Sequence, residues 1–344
     1  MAIQIRWREF IVTLCGMTTT VAAMARTLAH YVVDLMPSRT AIIEAGALLP
    51  PSLRNGFVLH LLSAMAMRCN DLPASLTTNL GIGRQLHVKV SSSELAMLFG
   101  KPSLLTGGRS SLDLALALFQ HASCFIDVGS NIGLYIFYLR CRDRSDKPIY
   151  FFESDPKLFE QLEVNIGANR IKQVTGYQVA LANSSGKTVL VKIRRDDNSG
   201  DLTDGDWSHP ILERIEDERT SFADFVAGHN LEHVCAKVDV KGDEEAFFDG
   251  AKPTLGKLDY LIMEILDPAI KRGLPLSIIR EGNFRAYYIN DYKLEHSLFG
   301  EYEYVEPFYN WLFCVESPTS LRAKLTRTRF QVVDAKGASA PENI

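Results

Sequence analysis

A glycine turn between an apolar strand and an apolar helix constrains the fold of this chain more than any other stretch. The run Cys124–Gly133 reads CFIDVGSNIG, in which an apolar segment ends at Asp127 and glycines follow at Gly129 and Gly133. An apolar helical pattern continues at Ile132, Tyr135, Ile136 and Leu139. This order predicts a strand, a tight turn and a helix N-terminus. Such a turn brings bare backbone and unpaired N–H groups close to a ligand.

The spacing of the turn separates several classes of ligand. The pattern is DxGxNxG, whereas the dinucleotide fingerprint GxGxxG needs a third glycine to hold a pyrophosphate. A strand-end acid with two glycines is better suited to a ligand without phosphate, such as S-adenosylmethionine (SAM) with its charged amino-acid end. Two alternatives stay open at this point: a purely structural strand–turn–helix, and a nicotinamide-dependent dehydrogenase that lacks the third glycine.

A second apolar strand, Pro148–Glu153, also ends in an acid. Glu153 lies 26 residues after Asp127 (153 − 127). In nucleoside-binding α/β folds, an acid at the end of the second strand binds the ribose hydroxyls. Asp155 and Pro156 then have the residue types of a helix N-cap and first turn.

Several runs in the same order resemble the FkbM family of SAM-dependent methyltransferases. They are FIDVGSNIG, FFESDPKLFEQLEVNIGAN, QVALANSSGKTVL, KVDVKGDEEAFFDGA, LIMEI and a late NWLFC, and they lie within roughly the last two thirds of the chain. The resemblance implies an α/β, Rossmann-like class I methyltransferase. It predicts a seven-stranded, mostly parallel sheet with an antiparallel last strand, plus a helical extension at the N-terminus.

The resemblance also implies SAM as the cofactor and a set of residues that bind it. By position these are Asp127, Gly129, Ser130, Asn131, Gly133, Glu153, Ser154 and Ala180. The chain departs from the family at two places. Ser130 stands where a small alanine is usual, and Lys241 stands where the family usually has an acid.

The candidate catalytic residues lie at the ends of two further strands. Lys237, Asp239 and Lys241 alternate at the end of the predicted strand His233–Val240, and Glu264 comes at the end of the strand Leu258–Ile265. Ligands of open α/β sheets bind at these carboxyl ends. Asp239 and Glu264 are therefore candidate bases and Lys237 an electrostatic or substrate contact, with salt-bridged strand ends as the structural alternative.

No metal site is predicted, although Asp239, Glu264 and Asp267 could supply oxygen ligands. The predicted reaction is O-methylation of a hydroxyl on a sugar, glycan or natural-product acceptor, because the resemblance suggests such acceptors. The alternative is a catalytically degenerate methyltransferase fold that serves as a scaffold or interaction protein.

Composition restricts the partners and the compartment. Hydrophobic content of 47%, charged content of 23% and a net charge of −4 are typical of a soluble globular protein and give no reason to expect nucleic acid as the partner. The six cysteines are scattered without a CxxC pair, which argues against zinc and disulfides. A reducing, cytoplasmic location is expected.

The chain divides by its patterns into four predicted parts. They are a helical extension (1–80), a strand and helix segment that covers the site (81–120), the SAM-binding domain (121–318) and a basic, partly disordered tail (319–344). Phe10–Ala25 has no charge but its 16 residues (25 − 10 + 1) are fewer than the ~20 that span a bilayer, so membrane contact is not favoured. A homo-oligomer is compatible with the sequence. Arg194–Arg219 is predicted to be a charged loop, either solvated or a lid over the substrate.

Overall fold

A computed structural model of the chain describes residues 76–79, 85–88, 108–143, 145–193, 211–298 and 310–334. These residues fall into two compact units. One contains the described residues up to 110 together with those within 140–144 and 160–172, and the other contains the described residues of 111–139, 145–159 and from 173 onward. All candidate site residues belong to the second unit.

Strands and helices alternate along most of the chain. The first half contains β1 (Leu76–Asn79), β2 (Gln85–Val88), α1 (Gly108–Phe119), β3 (Cys124–Val128), α2 (Leu134–Arg142), β4 (Ile149–Phe152), α3 (Pro156–Ala168), β5 (Val174–Tyr177), β6 (Ala180–Ala182) and β7 (Gly186–Ile193). The second half contains β8 (Ile211–Ser221), α4 (Phe222–Gly228), β9 (Val234–Val238), α5 (Glu244–Ala251), a 3₁₀ helix (Lys252–Lys257), β10 (Leu258–Glu264), α6 (Asp267–Lys271), α7 (Leu274–Gly282), β11 (Arg285–Asn290), β12 (Lys293–Ser297), β13 (Asn310–Cys314), α8 (Pro318–Lys324) and β14 (Gln331–Val333).

The main sheet has nine strands in the order β14-β12-β11-β13-β10-β9-β3-β4-β5. The five adjacent strands β10, β9, β3, β4 and β5 are parallel to one another. In contrast, β13 is antiparallel to both of its neighbours, β10 and β11. The Rossmann-like α/β fold predicted for this chain, with a late antiparallel strand, is therefore confirmed. The ends of β3, β4, β9 and β10 share one edge of the sheet, as parallel strands require.

Apolar side chains cover both faces of the central strands. Ile126, Ala236 and Leu261 are register partners and are fully buried on one face of β3, β9 and β10. Their chain neighbours Phe125, Cys235 and Ile262 are fully buried on the other face. A parallel sheet buried on both faces needs such continuous apolar strands. Asp127 on β3 and Lys237 on β9 are charged exceptions, with only 1% and 8% of their surfaces exposed.

Two strands extend the sheet beyond the seven that were predicted. β12 pairs antiparallel with β11, and β14 pairs parallel with β12. The described part of the predicted tail is thus a helix and a strand rather than a solvated charge run. Arg322 donates to the carbonyl of Val332 at 3.1 Å, and Lys324 donates to the Tyr260 hydroxyl at 2.8 Å, so both basic side chains are paired.

A smaller sheet has the order β6-β8-β7. β7 and β8 are antiparallel over their length, and β6 pairs parallel with the end of β8. The prediction of a loop over Arg194–Arg219 is therefore wrong from Ile211 onward, because these residues form β8. Residues 194–210 lie outside the described part of the chain.

The predicted helical extension and the uncharged run Phe10–Ala25 lie outside the described residues. Within the described ranges, no helix combines the length and the apolar character that crossing a membrane requires.

Candidate functional site

The glycine turn after β3 is held by backbone hydrogen bonds to the neighbouring strand. Gly129 and Ser130 donate to the carbonyl of Phe152 at 3.0 and 3.1 Å, and Gly133 donates to the carbonyl of Ser130 at 2.8 Å. Gly129 and Gly133 have φ of 73° and 75°, and Asn131 between them has φ of 50°. The two glycines therefore occupy the left-handed region, where a side chain would be strained.

Gly129 also allows a close approach, but within the protein itself. A Cβ placed on Gly129 would lie 2.1 Å from the backbone oxygen of Asp239, at the end of β9. Gly129 was predicted to let a ligand approach the backbone. In the structure, the group that approaches it is the backbone of Asp239, directly after β9. Gly129 thus sets the distance between the turn and the strand that bears Asp239.

Asp127 lies at the end of β3 and is almost fully buried, with 1% of its surface exposed. Neither carboxyl oxygen has a hydrogen-bond partner, and the nearest cation is the Lys237 ammonium, 3.9 Å from Oδ1. Burial raises the pKa of Asp127 to about 6, while Lys237 opposes this shift. A buried carboxylate without a partner carries a desolvation penalty that a cationic ligand would relieve.

Glu153 follows β4 and binds the same turn. Its Oε2 accepts from the Asn131 N–H at 2.8 Å, and its Oε1 accepts from the Asp155 N–H at 3.0 Å. Burial raises the pKa of Glu153, and these two backbone donors oppose the shift. Each carboxylate oxygen has a second lone pair, so Glu153 can accept further hydrogen bonds from a ligand's hydroxyls.

Ser154 and Ala180 complete the predicted cofactor set. Ser154 is half-buried directly after Glu153, and Ala180 is half-buried at the start of β6. The assignment of both residues to the cofactor rests on their position in the fold alone.

Five charged side chains form a row of alternating sign across the ends of β3, β9 and β10. Asp127, Lys237, Asp239, Lys241 and Glu264 follow one another, and we call them the charge row. Lys237 lies 3.9 Å from Asp127 and 3.6 Å from Oδ2 of Asp239. The Lys241 ammonium lies 2.7 Å from both Oδ1 of Asp239 and Oε1 of Glu264. The structure thus brings the three predicted catalytic residues together.

The two lysines determine the protonation of Asp239. Burial alone would raise its pKa, but Lys237 and Lys241 outweigh burial, and the pKa of Asp239 is lowered. Burial would lower the pKa of Lys241, but Asp239 and Glu264 outweigh it, and that pKa is raised. Asp239 is therefore a carboxylate and Lys241 an ammonium at neutral pH.

Two side chains beside the row were not among the predicted site residues. The ring of Tyr135 lies under the Lys237 ammonium, 5.1 Å from it, and burial together with Asp127, Asp239 and Glu264 raises the pKa of this tyrosine. Glu244, only 1% exposed, accepts from the Gly242 N–H at 2.9 Å at the start of α5. Tyr135 looked like a core residue because of its helical spacing. Glu244 was noted as a cap or substrate contact, but its burial had no signal in the sequence.

An open cleft of about 750 Å³ adjoins the ends of β4 and β5. Its walls include the aromatic residues Phe152, Tyr177, Phe225 and His229, and Val179 lines it next to Ala180. His229 Nε2 is 2.9 Å from the Tyr177 hydroxyl, and the His229 ring lies 4.2 Å from that of Phe225. These contacts give the cleft a wall of packed aromatic rings.

The described residues contain no group of three or more His, Cys, Asp or Glu side chains placed to bind a metal ion. The place between Asp239 and Glu264, where sequence reasoning allowed oxygen ligands, contains the ammonium of Lys241.

Comparisons with known proteins give structural neighbours only. No protein-family model matches the chain, and no curated protein matches it. A methyltransferase FkbM from Methylobacillus flagellatus is similar over 56% of this chain and 43% of its own, with 11% identity and a TM-score of 0.36. This match spans less than half of that protein's length.

Two further neighbours cover more of the chain. A SAM-dependent methyltransferase from Agrobacterium tumefaciens matches 72% of this chain and 71% of its own, with 6% identity and a TM-score of 0.38. TYW2 of M. jannaschii, solved in complex with AdoMet, matches 71% and 86%, with 11% identity and a TM-score of 0.35. These similarities are too low to transfer an activity, so the fold described above rests on the strand order itself.

Proposed function

We propose that this protein is a SAM-dependent methyltransferase. The observation that supports this most is Asp127, a buried carboxylate without a hydrogen-bond partner at the end of β3. A ligand with a cationic end fits this residue, because it would supply the missing donor and counter-charge. SAM, when bound, supplies a methyl group on a sulfonium, and its ammonium is such a donor.

The residues around Asp127 are suited to the rest of the cofactor. The turn through Gly129, Ser130, Asn131 and Gly133 would bind the amino-acid end, and Glu153 would accept from the ribose hydroxyls. Ser154 and Ala180 would flank the adenine. The aromatic cleft beside Ala180 supports this arrangement, because an apolar wall favours a planar heterocycle.

We infer further that the acceptor is a hydroxyl group, on a sugar, a glycan or a natural product as the FkbM resemblance suggests. Methyl transfer to a hydroxyl needs alignment, exclusion of water and a base. Asp239 is held as a carboxylate by Lys237 and Lys241, so it can accept the hydroxyl proton, and Glu264 is the second candidate. Lys237 would keep Asp239 oriented through its contact at 3.6 Å.

Calorimetry with S-adenosylhomocysteine tests the cofactor. We expect binding by the wild-type protein and loss of binding in Asp127→Ala, because the cationic end of the ligand loses its counter-charge. Asp249→Ala is the matched control, since Asp249 is an exposed carboxylate that pairs with Lys252 and is not a member of the charge row. Absence of binding by folded wild-type protein would contradict the proposal.

The contact between Lys241 and both candidate bases also favours a second function. If Lys241 remains in place, neither Asp239 nor Glu264 is free, and the fold would act as a scaffold that binds SAM without turnover. Tight cofactor binding with no methylation of any sugar, glycan or natural product in a labelled-SAM screen would support this function.

A further inference from the structure

Lys241 blocks both candidate bases in the structure. Its ammonium contacts Oδ1 of Asp239, while Lys237 faces Oδ2 of the same carboxylate, so both oxygens of Asp239 face a lysine. A base must come within hydrogen-bond distance of the proton that it accepts. Each Asp239 oxygen already faces one ammonium, so an acceptor that replaces one of these ammonium groups gains direct access to the carboxylate.

Exposure indicates which lysine moves. The Lys237 side chain is 10% exposed and packs over the ring of Tyr135, whereas the Lys241 side chain is 57% exposed. A mostly exposed lysine exchanges its contacts easily, because surface ion pairs contribute little stability. Lys241 is thus the mobile member of the charge row.

We propose that Lys241 is an internal counter-ion that a cationic group of the acceptor displaces. This inference rests on the proposed methyltransferase function and names the acceptor class for the same site. The acceptor bears an ammonium close to the reacting group, and this ammonium takes the position of the Lys241 ammonium between Asp239 and Glu264.

Charge alternation explains why the displacing group is a cation. Asp239 and Glu264 both contact the Lys241 ammonium at 2.7 Å, so when Lys241 leaves they become neighbouring like charges that repel each other. A neutral hydroxyl would leave this repulsion in place, and an anionic group would increase it. An ammonium restores the alternating order of the row. The Asp127 carboxylate at the buried end, which has no hydrogen-bond donor and has Lys237 at 3.9 Å, adds further negative charge on the same edge.

The test compares two sugars that differ in one group, D-glucosamine and D-glucose, by ligand-observed NMR titration in neutral buffer. We expect the wild-type protein to bind glucosamine more tightly than glucose. Lys241→Met keeps the apolar length of the side chain and removes the competing cation. It should raise glucosamine affinity about fivefold, as expected for one surface ion pair, and leave glucose affinity unchanged.

Two variants separate this effect from a general change of charge. Lys252→Met is the matched control, because Lys252 also bridges two carboxylates, Asp249 at 2.8 Å and Glu281 at 3.1 Å, outside the charge row. It should change neither affinity. In Lys241→Met combined with Glu264→Gln, the gain for glucosamine should disappear, since the pair of carboxylates is broken.

Failure of this inference is distinct from failure of the proposed function. Equal binding of the two sugars by wild type, or an equal gain for both in Lys241→Met, would overturn the displacement. Binding of S-adenosylhomocysteine is measured separately on the same proteins. If the variants change glucosamine affinity as expected while S-adenosylhomocysteine does not bind, the cation site is supported and the assignment of SAM as the cofactor is wrong.

Discussion

Replacing Asp127 by asparagine should stabilise the protein without ligand and abolish cofactor binding. The carboxyl group of Asp127 is 1% exposed, and no hydrogen bond compensates its burial. Burial therefore raises its pKa from 3.8 to about 6 in the folded protein. Asparagine has nearly the same shape and no charge, so it removes the penalty of a buried anion.

The pKa shift sets the size and the sign of this effect. In the folded state the group binds its proton more tightly, so stability falls as the pH rises from about 4 to about 6 and stays low above that range. Two pKa units correspond to about 3 kcal/mol at about 1.4 kcal/mol per unit. The buried asparagine amide also lacks partners, which costs about 1–2 kcal/mol. The net gain at neutral pH is then about 1–2 kcal/mol.

Thermal unfolding at several pH values measures the gain. The Asp127→Asn variant should melt at a higher temperature than wild type at neutral pH. The two curves should cross as the pH falls toward about 4, because the ionisation penalty of wild type is then gone while the unpartnered amide remains. Calorimetry on the same samples should show that S-adenosylhomocysteine no longer binds. A variant that melts lower than wild type at neutral pH, or that retains binding, would refute the reasoning.

Three other substitutions test the turn, the ribose acid and a helix cap. Gly129→Ala should lower the free energy of unfolding, measured in urea, by more than about 2 kcal/mol, because its Cβ would lie 2.1 Å from the Asp239 backbone oxygen. Gly167→Ala is the control: this position lies in open space within α3, and the free energy of unfolding should rise by about 0.5–1 kcal/mol. Glu153→Gln should weaken S-adenosylhomocysteine binding about tenfold in calorimetry, since its amide can accept from only one of the two backbone donors that Glu153 binds. Ser221→Ala removes the hydroxyl that accepts from Asp224 N–H at 2.9 Å at the start of α4, and thermal unfolding should show a loss of about 1 kcal/mol. Unchanged stability in Gly129→Ala, unchanged affinity in Glu153→Gln or an unchanged melting temperature in Ser221→Ala would contradict the corresponding contact.

The parallel core and the edge that bears the acids could be predicted from the sequence. Continuous apolar runs that end in an acid indicate buried parallel strands, and parallel strands put Asp127, Glu153 and Asp239 on one edge. The helix after the turn followed from its apolar spacing. These predictions succeeded because each depends on a short run of residues and on one topological rule.

The partners of the charged residues could not be predicted in the same way. Lys241 was expected to continue the alternation of Lys237 and Asp239 in an extended backbone. Its φ of 46° lies outside the range of a strand, and its ammonium contacts Glu264 on β10. The strand Ile211–Ser221 was taken for a loop because of its charges, although pairing with β7 decides its conformation. Both errors concern contacts between residues far apart in the sequence, which local patterns do not specify.

The position of β13 has a consequence for the route by which the sheet assembles. β11 and β12 come earlier in the chain and can form a hairpin, but β11 reaches the central strands only through β13, which pairs with both β10 and β11. The hairpin can therefore join the central strands only when Asn310–Cys314 enters between β10 and β11. Pairing that joins distant segments is slow to form. Trp311 is fully buried in that entering strand. In a variant with Trp7→Phe and Trp207→Phe, its fluorescence would mark the step that joins the two parts of the sheet.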